Sequence, residues 1–258
     1  MLEPARSLYK YRWLVYELVL RNLRLRYRGS IFGVFWTLLN PLLFMAVYTF
    51  VFSVILKGAI PKFPLFLLCG LVPFTFFSTA VQQGSSAIVD GRVYVGKTLF
   101  PTIVLIVVPV LANAVNFAIA LPLVLILALV LHVHLGASLL LLPVVLVVQL
   151  VLTQAIATLL AVVNVFYRDV QELLGYVMSA LLFLTPIFYL PTSAPARYQA
   201  VFQLNPLAAL VDSYQRILYA GTVPDFGRLG FAFGAAVLLA LVANAVFIRY
   251  REAFAQYL

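Results

Sequence analysis

The sequence has 258 residues, of which 65% are hydrophobic and only 10% are charged. A soluble domain of this size could not bury so much apolar surface, because a small protein leaves most of its atoms near its outside. The composition therefore excludes a soluble globular enzyme, a disordered chain and a disulfide scaffold. It indicates an all-α integral membrane protein that crosses the bilayer several times.

The charged residues favour a membrane surface over nucleic acid as the partner of this chain. Seventeen Lys and Arg against eight Asp and Glu give a net charge of +9. The basic residues lie between apolar runs, which is typical of charges that set membrane topology beside an anionic inner leaflet. The first thirty residues show no cleavable signal peptide, so we expect the first apolar run to be retained.

Five stretches of the chain contain no Asp, Glu, Lys or Arg, and the longest, 98–167, has 70 residues. As one helix it would be about 105 Å long, far more than a bilayer accommodates. It must fold back, and we predict the turn at His132, His134 and Gly136, its most polar and flexible point. The pattern predicts six membrane-spanning helices, at about 31–56, 65–87, 101–131, 138–163, 172–190 and 229–249.

Six spans place both chain ends on the same side of the membrane. Under this topology, twelve of the seventeen Lys and Arg lie on the side of the chain ends. The positive-inside rule then predicts that both termini are cytoplasmic. The predicted organisation is a segment 1–29 on the cytoplasmic surface, a transmembrane domain 30–250 and a cytoplasmic tail 251–258.

The basic N-terminal segment is predicted to form an amphipathic helix in the cytoplasmic interface. Glu17, Arg21, Arg24 and Arg28 are spaced four, three and four apart and therefore share one helical face, while apolar residues occupy another. A basic anchor that only fixes topology remains the alternative.

A second non-spanning region, about 195–221, precedes the last span. Asn205-Pro206 is a good helix start, and Gly221 is a plausible end. The intervening helix would be about 22 Å long, too short to cross a membrane. We predict a pair of short external helices, interfacial or re-entrant.

Residues 91–98 match the phosphate-binding pattern G-x-x-x-x-G-K-[ST]. A working P-loop follows a buried strand and opens a helix of an α/β domain, whereas this segment lies between two predicted spans. We therefore interpret the match as coincidental and predict no ATPase site in this chain.

The predicted spans contain almost no ionisable side chains. Enzymes and ion-coupled carriers usually keep such groups at membrane depth, so their absence favours transport driven by a separate ATPase subunit. We predict no catalytic residue, and no metal site because His132 and His134 lack a third ligand nearby. The short basic loops could dock such a subunit; solvated topology markers are the alternative.

Aromatic residues are abundant, and some of them recur along one helical face. Trp36, Asn40, Phe44, Tyr48 and Phe52 are spaced four apart in the first predicted span. The usual explanation is lipid contact and helix packing. A conduit in which aromatic faces stack on sugars is the functional alternative.

Four segments in order resemble one family. They are Arg26-Tyr-Arg-Gly-Ser-Ile-Phe-Gly-Val-Phe-Trp36 with Asn40-Pro41, Lys97-Thr-Leu-Phe-Pro101, Tyr167-Arg-Asp-Val170, and Thr185-Pro-Ile-Phe-Tyr189 with Asn205-Pro206. The chain resembles the permease subunit of bacterial ABC transporters that export polysaccharides, including O-antigen, teichoic acid and capsule exporters. Phe32, where Leu is commoner, is a mild departure. The intact first segment leans toward the O-antigen and teichoic acid branch.

The resemblance implies a homodimeric permease in the bacterial inner membrane, paired with two copies of a cytoplasmic ATPase that binds ATP and magnesium. It implies a lipid-linked polysaccharide as substrate and no cofactor in this chain. The residues implied to couple to the ATPase are Arg21, Arg24, Arg26, Arg28, Arg92, Lys97, Phe100, Pro101, Tyr167, Arg168 and Asp169. Those implied to line a glycan channel between subunits are Trp36, Phe44, Tyr48, Phe188 and Tyr189.

Two other functions remain open at this point. A membrane-bound sugar or phosphosugar transferase would need acidic residues at the membrane surface. An ABC permease for drugs or small lipids would leave surface glycan unaffected when deleted. The candidate acids for a transferase are Asp90, Asp169, Glu172, Asp212 and Asp225.

Overall fold

The computed structural model describes residues 9–57, 60–95, 100–193 and 195–257. Every regular element in these ranges is helical, which confirms the predicted all-α class. The first half of the bundle consists of α1 (Arg12–Tyr27), α2 (Trp36–Thr49), α3 (Phe63–Asp90), α4 (Ile103–Val130) and α5 (Leu142–Phe166). The second half consists of α6 (Val170–Leu184), α7 (Ala196–Leu204), α8 (Pro206–Leu218), α9 (Phe226–Tyr250) and α10 (Phe254–Tyr257).

Five helical segments of the described chain are long and apolar enough to cross a membrane. Each of them lies where the sequence predicted a span. They are Gly33–Ile55, Phe63–Asp90, Ile103–Val130, Ala137–Phe166 and Phe226–Tyr250.

The predicted span 172–190 holds a shorter helix than expected. Helix α6 has 15 residues, about 22 Å, and ends at Leu184. Pro186 explains this end, because a proline disfavours helical geometry in the residue before it. Thr185 is accordingly extended, with φ −101° and ψ 132°. A non-helical segment, 185–190, follows the helix.

The loops gather at two ends of the bundle. Tyr219 donates a hydrogen bond from its hydroxyl to the Pro61 carbonyl at 2.8 Å, and Lys62 Nζ donates to the His132 carbonyl at 3.4 Å. The predicted fold-back, which begins at His132, therefore lies beside Lys62. We name this the His132 end. The opposite end, where α3 finishes, is named the Asp90 end.

The core of the bundle is α3, whose small residues allow neighbouring helices to approach closely. A Cβ atom at Gly84 would lie 2.8 Å from the Ala157 Cβ on α5, and one at Gly70 would lie 3.2 Å from Val211 on α8. Close backbone approach of this kind is a common way to pack helices inside a membrane.

Helix α8 packs inside the bundle rather than on its surface. The amide oxygen of Asn205 caps it by accepting a hydrogen bond from the Leu207 N–H at 2.9 Å, as the Asn-Pro pair predicted. Its predicted apolar face is buried within the bundle. The members of that face are Leu207, Leu210, Val211, Tyr214, Ile217 and Leu218.

Buried polar contacts hold α8 in place. The Tyr214 hydroxyl donates to Gln149 Oε1 at 2.7 Å, and the Gln149 amide donates to the Pro73 carbonyl at 2.8 Å. Asp212 also accepts from Arg216 and pairs with Arg228 of α9 at 3.3 Å. These contacts join α8 to α3, α5 and α9.

We predict that Gly84→Ala destabilises the bundle by about 1–3 kcal/mol, because the added methyl group overpacks the contact with Ala157. Thermal unfolding of the purified chain measures this effect. The double variant with Ala157→Gly should be no less stable than Ala157→Gly alone. The control is Gly234→Ala, at a helical site with nothing within 4 Å, and it should cost nothing. Equal melting of Gly84→Ala and wild type would disprove the packing argument.

Candidate functional site

A polar cavity of about 310 Å³ lies between α1, the first spanning segment, α3 and α4. Its polar lining consists of Arg26, Tyr27, Thr37, Asn40, Thr75, Thr79, Asn113 and Asn116. The aromatic side chains of Trp36, Phe76 and Phe117 complete the wall. Hydroxyl, amide and guanidinium groups beside aromatic rings form a surface suited to an anionic or sugar-like ligand.

Arg26 lies at the mouth of this cavity, and neutral amides hold its guanidinium. Nη1 donates to Asn113 Oδ1 at 3.0 Å, and Nη2 donates to Gln83 Oε1 at 2.6 Å. The Asn113 amide also donates to the same Gln83 oxygen at 2.9 Å. The three side chains therefore form one network that joins α1 to α3 and α4.

Tyr27 makes a second bridge beside Arg26. Its hydroxyl donates to Asn116 Oδ1 at 2.7 Å and lies 2.6 Å from Thr37 Oγ1, which can donate in turn. Asn116 is about 20 Å along α4 from its start at Ile103. The C-terminal end of α1 thus lies alongside the middle of α4.

The sequence reasoning missed the polar residues of α3 and α4 because it searched the spans only for charged groups. A detectable signal was present, since Thr75, Thr79 and Gln83 are spaced four apart on one face of an apolar helix. Asn113 and Asn116 are likewise one turn apart on α4. Uncharged polar side chains at helical spacing inside an apolar run indicate a lined cavity or a helix contact.

The four arginines of the N-terminal helix do not lie together. Arg21, Arg24 and Arg28 are exposed and border a separate groove of about 770 Å³ with Glu17, whereas Arg26 points to the polar cavity. The opposite face of α1 packs on the bundle through buried Val15 and Val19. Helix α1 therefore has the two faces that the charge spacing predicted.

The other residues implied to couple to an ATPase are at the Asp90 end, as far as the structure describes them. Arg92 is exposed in a short turn after α3, and Phe100 stacks on Tyr94 with ring centroids 5.2 Å apart. Pro101 is half-buried before α4. Lys97, with the rest of 96–99, lies outside the described residues.

The turn between α5 and α6 presents its polar side chains outward. Tyr167, Arg168 and Asp169 are all exposed. The turn is held against α3, because the side-chain amides of Asn164 and Gln171 donate hydrogen bonds to Ser85 of α3 at 3.1 and 2.8 Å. A rigid, charged turn of this kind can receive force from a docked partner.

The predicted channel aromatics divide into two groups. Tyr48 packs between Phe44 and Phe188, with centroids 6.0 and 4.7 Å apart, and Phe188 also stacks on Phe52 at 5.2 Å. Trp36 lies apart from them, in the wall of the polar cavity.

The members of the cluster differ in burial. Phe44 is 53% exposed, whereas Phe188 is only 2% exposed. Tyr189 packs on Phe202 at 5.8 Å, and its hydroxyl donates to the Phe183 carbonyl. Phe44 therefore has a surface that could contact a ligand, and Phe188 supports it from the core.

The candidate acids for a transferase do not form a joint site. Asp212 is engaged with Arg216 and Arg228, and Asp225 caps α9. Backbone N–H donors, that of Arg228 first, hold the pKa of the Asp225 carboxyl below its usual value. The three other acids are at the opposite end of the bundle. In the part of the chain that the structure describes, no group of three His, Cys, Asp or Glu could hold a metal.

Comparison of the sequence with known proteins identifies a family. The sequence profile of the family described as "ABC-2 type transporter" matches residues 14–219. The "O-antigen export system permease protein RfbA" of Myxococcus xanthus is 39% identical over 259 residues, 99% of each chain. A Klebsiella pneumoniae protein of the same name is 25% identical over 92% of each chain. The Escherichia coli "Polysialic acid transport protein KpsM" is 24% identical over 92% of this chain and 93% of its own.

We predict that Phe188→Ala costs about 3–5 kcal/mol of stability, because it removes a buried ring from three aromatic neighbours. Phe44→Ala should change stability by at most about 0.5 kcal/mol, since Phe44 is exposed. Thermal unfolding of the two purified variants measures the difference. Equal destabilisation would contradict the assignment of Phe188 to the core and Phe44 to a surface.

Proposed function

Because the chain belongs to the ABC-2 type transporter family, we propose that it is the permease of an ATP-driven exporter of lipid-linked polysaccharide, of the O-antigen class. The observation that carries this proposal is the 39% identity, across nearly the whole of both chains, to the permease named for O-antigen export. The weaker similarity to the polysialic acid transport protein supports polysaccharide as the wider substrate class.

The proposed passage lies at the interface between two copies of the chain. In the first spanning segment, Gly33–Ile55, only 6% of the most apolar stretch is buried within the protomer. Such a surface must face lipid or another subunit, and its exposed Phe44 and half-buried Tyr48 offer aromatic faces to a glycan. We assign this face to a second copy, with Trp36, Phe188 and Tyr189 contributing to or supporting the wall.

The energy for export comes from a separate subunit in this proposal. The chain carries no ATPase site of its own, and two copies of a cytoplasmic ATPase bind ATP and magnesium. The G-x-x-x-x-G-K-T segment begins directly after a long apolar helix, α3, and its first residues form a short turn, whereas a working P-loop follows a strand. The ATPase docks at the Asp90 end, on the basic face of α1, the loop after α3 and the Tyr167–Asp169 turn.

The proposed topology has six crossings of the inner membrane and cytoplasmic termini. Five crossings are the long apolar helices, and the sixth is α6 with the segment 185–190. Phe188 supports this sixth crossing because it packs on Phe52, which in turn stacks on Phe63 at the start of α3. Helix α6 begins at the Asp90 end, whereas Phe188 lies near the start of α3. The chain therefore crosses the bundle between the start of α6 and Phe188.

We predict that deletion of the gene removes polysaccharide from the cell surface and that the wild-type chain restores it. Arg168→Gln should lower export at least tenfold, because it removes a charge from the ATPase-facing turn. Lys57→Gln is the matched control, since it removes an exposed charge at the His132 end and should leave export unchanged. Surface polysaccharide is measured by immunoblot, and co-purification of the ATPase is measured in parallel.

Two outcomes would overturn this proposal. Surface polysaccharide that persists without the chain would exclude export of this substrate. ATP hydrolysis by the purified chain alone would exclude the division of labour with a separate ATPase.

A further inference from the structure

The cavity beside α1 contains a cation that no carboxylate neutralises among the described residues. Arg26 has hydrogen bonds to the amide oxygens of Gln83 and Asn113 but no ion pair. Amide oxygens satisfy donors without supplying a negative charge. The cavity therefore carries a positive charge at its mouth.

Arg26 has donors left for a ligand. A guanidinium has five N–H groups, and two of them are used by the amides. The amides hold the side chain at the cavity mouth, where it remains exposed. An arginine that is oriented in advance and partly desolvated is a strong ligand for phosphate, because its donors match two oxygens at once.

The remainder of the cavity suits a sugar attached to that anion. Asn40 and Thr75 line it with polar groups, and Trp36 supplies an aromatic face. A volume of about 310 Å³ is at the small end of ligand pockets, so the cavity can take a head group but no long glycan.

We propose that this cavity binds the phosphate group that joins lipid to glycan in the exported substrate, with Arg26 as its main ligand and the neighbouring polar side chains holding the first sugar. The inference rests on the proposed function, because it assumes a lipid-linked glycan. In such a molecule the anion lies at the boundary between an apolar chain and a polar chain. The cavity offers both kinds of surface, since polar side chains and apolar side chains line it together. Arg26 thereby has a role distinct from that of Arg21, Arg24 and Arg28.

The binding test uses the intrinsic fluorescence of Trp36, which lines the cavity. The chain has two tryptophans, and Trp13→Phe leaves Trp36 as the sole reporter. The full-length chain is placed in phosphatidylcholine vesicles and titrated with hexadecyl phosphate, hexadecanol or phosphatidylglycerol. We expect saturable binding of hexadecyl phosphate and no saturable response to hexadecanol, which lacks the anion.

Variants of Arg26 separate anion binding from a structural role. Arg26→Gln should weaken hexadecyl phosphate binding at least tenfold. Arg26→Lys should weaken binding by only about threefold, because it loses the paired donors that match two phosphate oxygens but retains the positive charge. Arg12→Gln is the matched control, since it removes a charge from the same helix outside the cavity, and it should change binding less than twofold.

Each contrary result has a defined meaning. Equal binding of hexadecyl phosphate by wild type and Arg26→Gln, or equal binding of hexadecanol, would exclude the phosphate site. Equal loss of hexadecyl phosphate binding in Arg26→Gln and Arg26→Lys would mean that Arg26 only holds the helices together. Saturation of the site by phosphatidylglycerol at the same concentration would assign it to bulk phospholipid instead of the export substrate.

A cellular experiment distinguishes failure of this inference from failure of the proposed function. If wild type restores surface polysaccharide and Arg26→Gln restores it equally, the cavity is not the substrate site although the chain is an exporter. If deletion of the chain leaves surface polysaccharide unchanged, the proposed function itself fails.

Discussion

The structure depends on one constraint: every polar group at membrane depth must find its hydrogen-bond partner inside the protein, because lipid supplies none. Gln149 meets this constraint by joining the Tyr214 hydroxyl to the Pro73 carbonyl. These two hydrogen bonds hold the short helix α8 against α3 and α5. The short helix could not be stable as a membrane segment by itself, since its length covers only part of the bilayer.

The same constraint gives the N-terminal helix its place. Arg26 and Tyr27 end a helix whose other arginines face outward, yet these two side chains turn to amides and hydroxyls of the spans. The contacts join α1, which we propose docks the ATPase, to the walls of the polar cavity. A displacement of α1 would therefore be felt at Gln83 and Asn113 directly, without passing through a long chain of packed residues.

Proline and aromatic residues explain where the bundle departs from regular helices. The helix predicted through 190 ends early because Thr185 precedes a proline, and residues 185–190 continue the chain without helical structure. Its backbone groups are sheltered there by protein, as irregular structure at membrane depth requires. Gln215 of α8 donates to the Pro186 carbonyl at 3.2 Å, and Phe188 fills the space beside Tyr48 and Phe52. The irregular segment and helix α8 thus support each other.

Composition and local pattern were enough to determine the all-α membrane class, the fold-back near His132 and the cap of α8 at Asn205, because each depends on residues a few positions apart. Only the tertiary structure decided that Arg26 lies apart from the other arginines, that Trp36 lies apart from the other aromatics predicted to line a channel, and that Phe188 is part of the core. Those outcomes depend on partners far apart along the chain: Arg26 and Asn113 are 87 positions apart. Helical periodicity says which residues share a face, but it contains no information about which helix that face will meet.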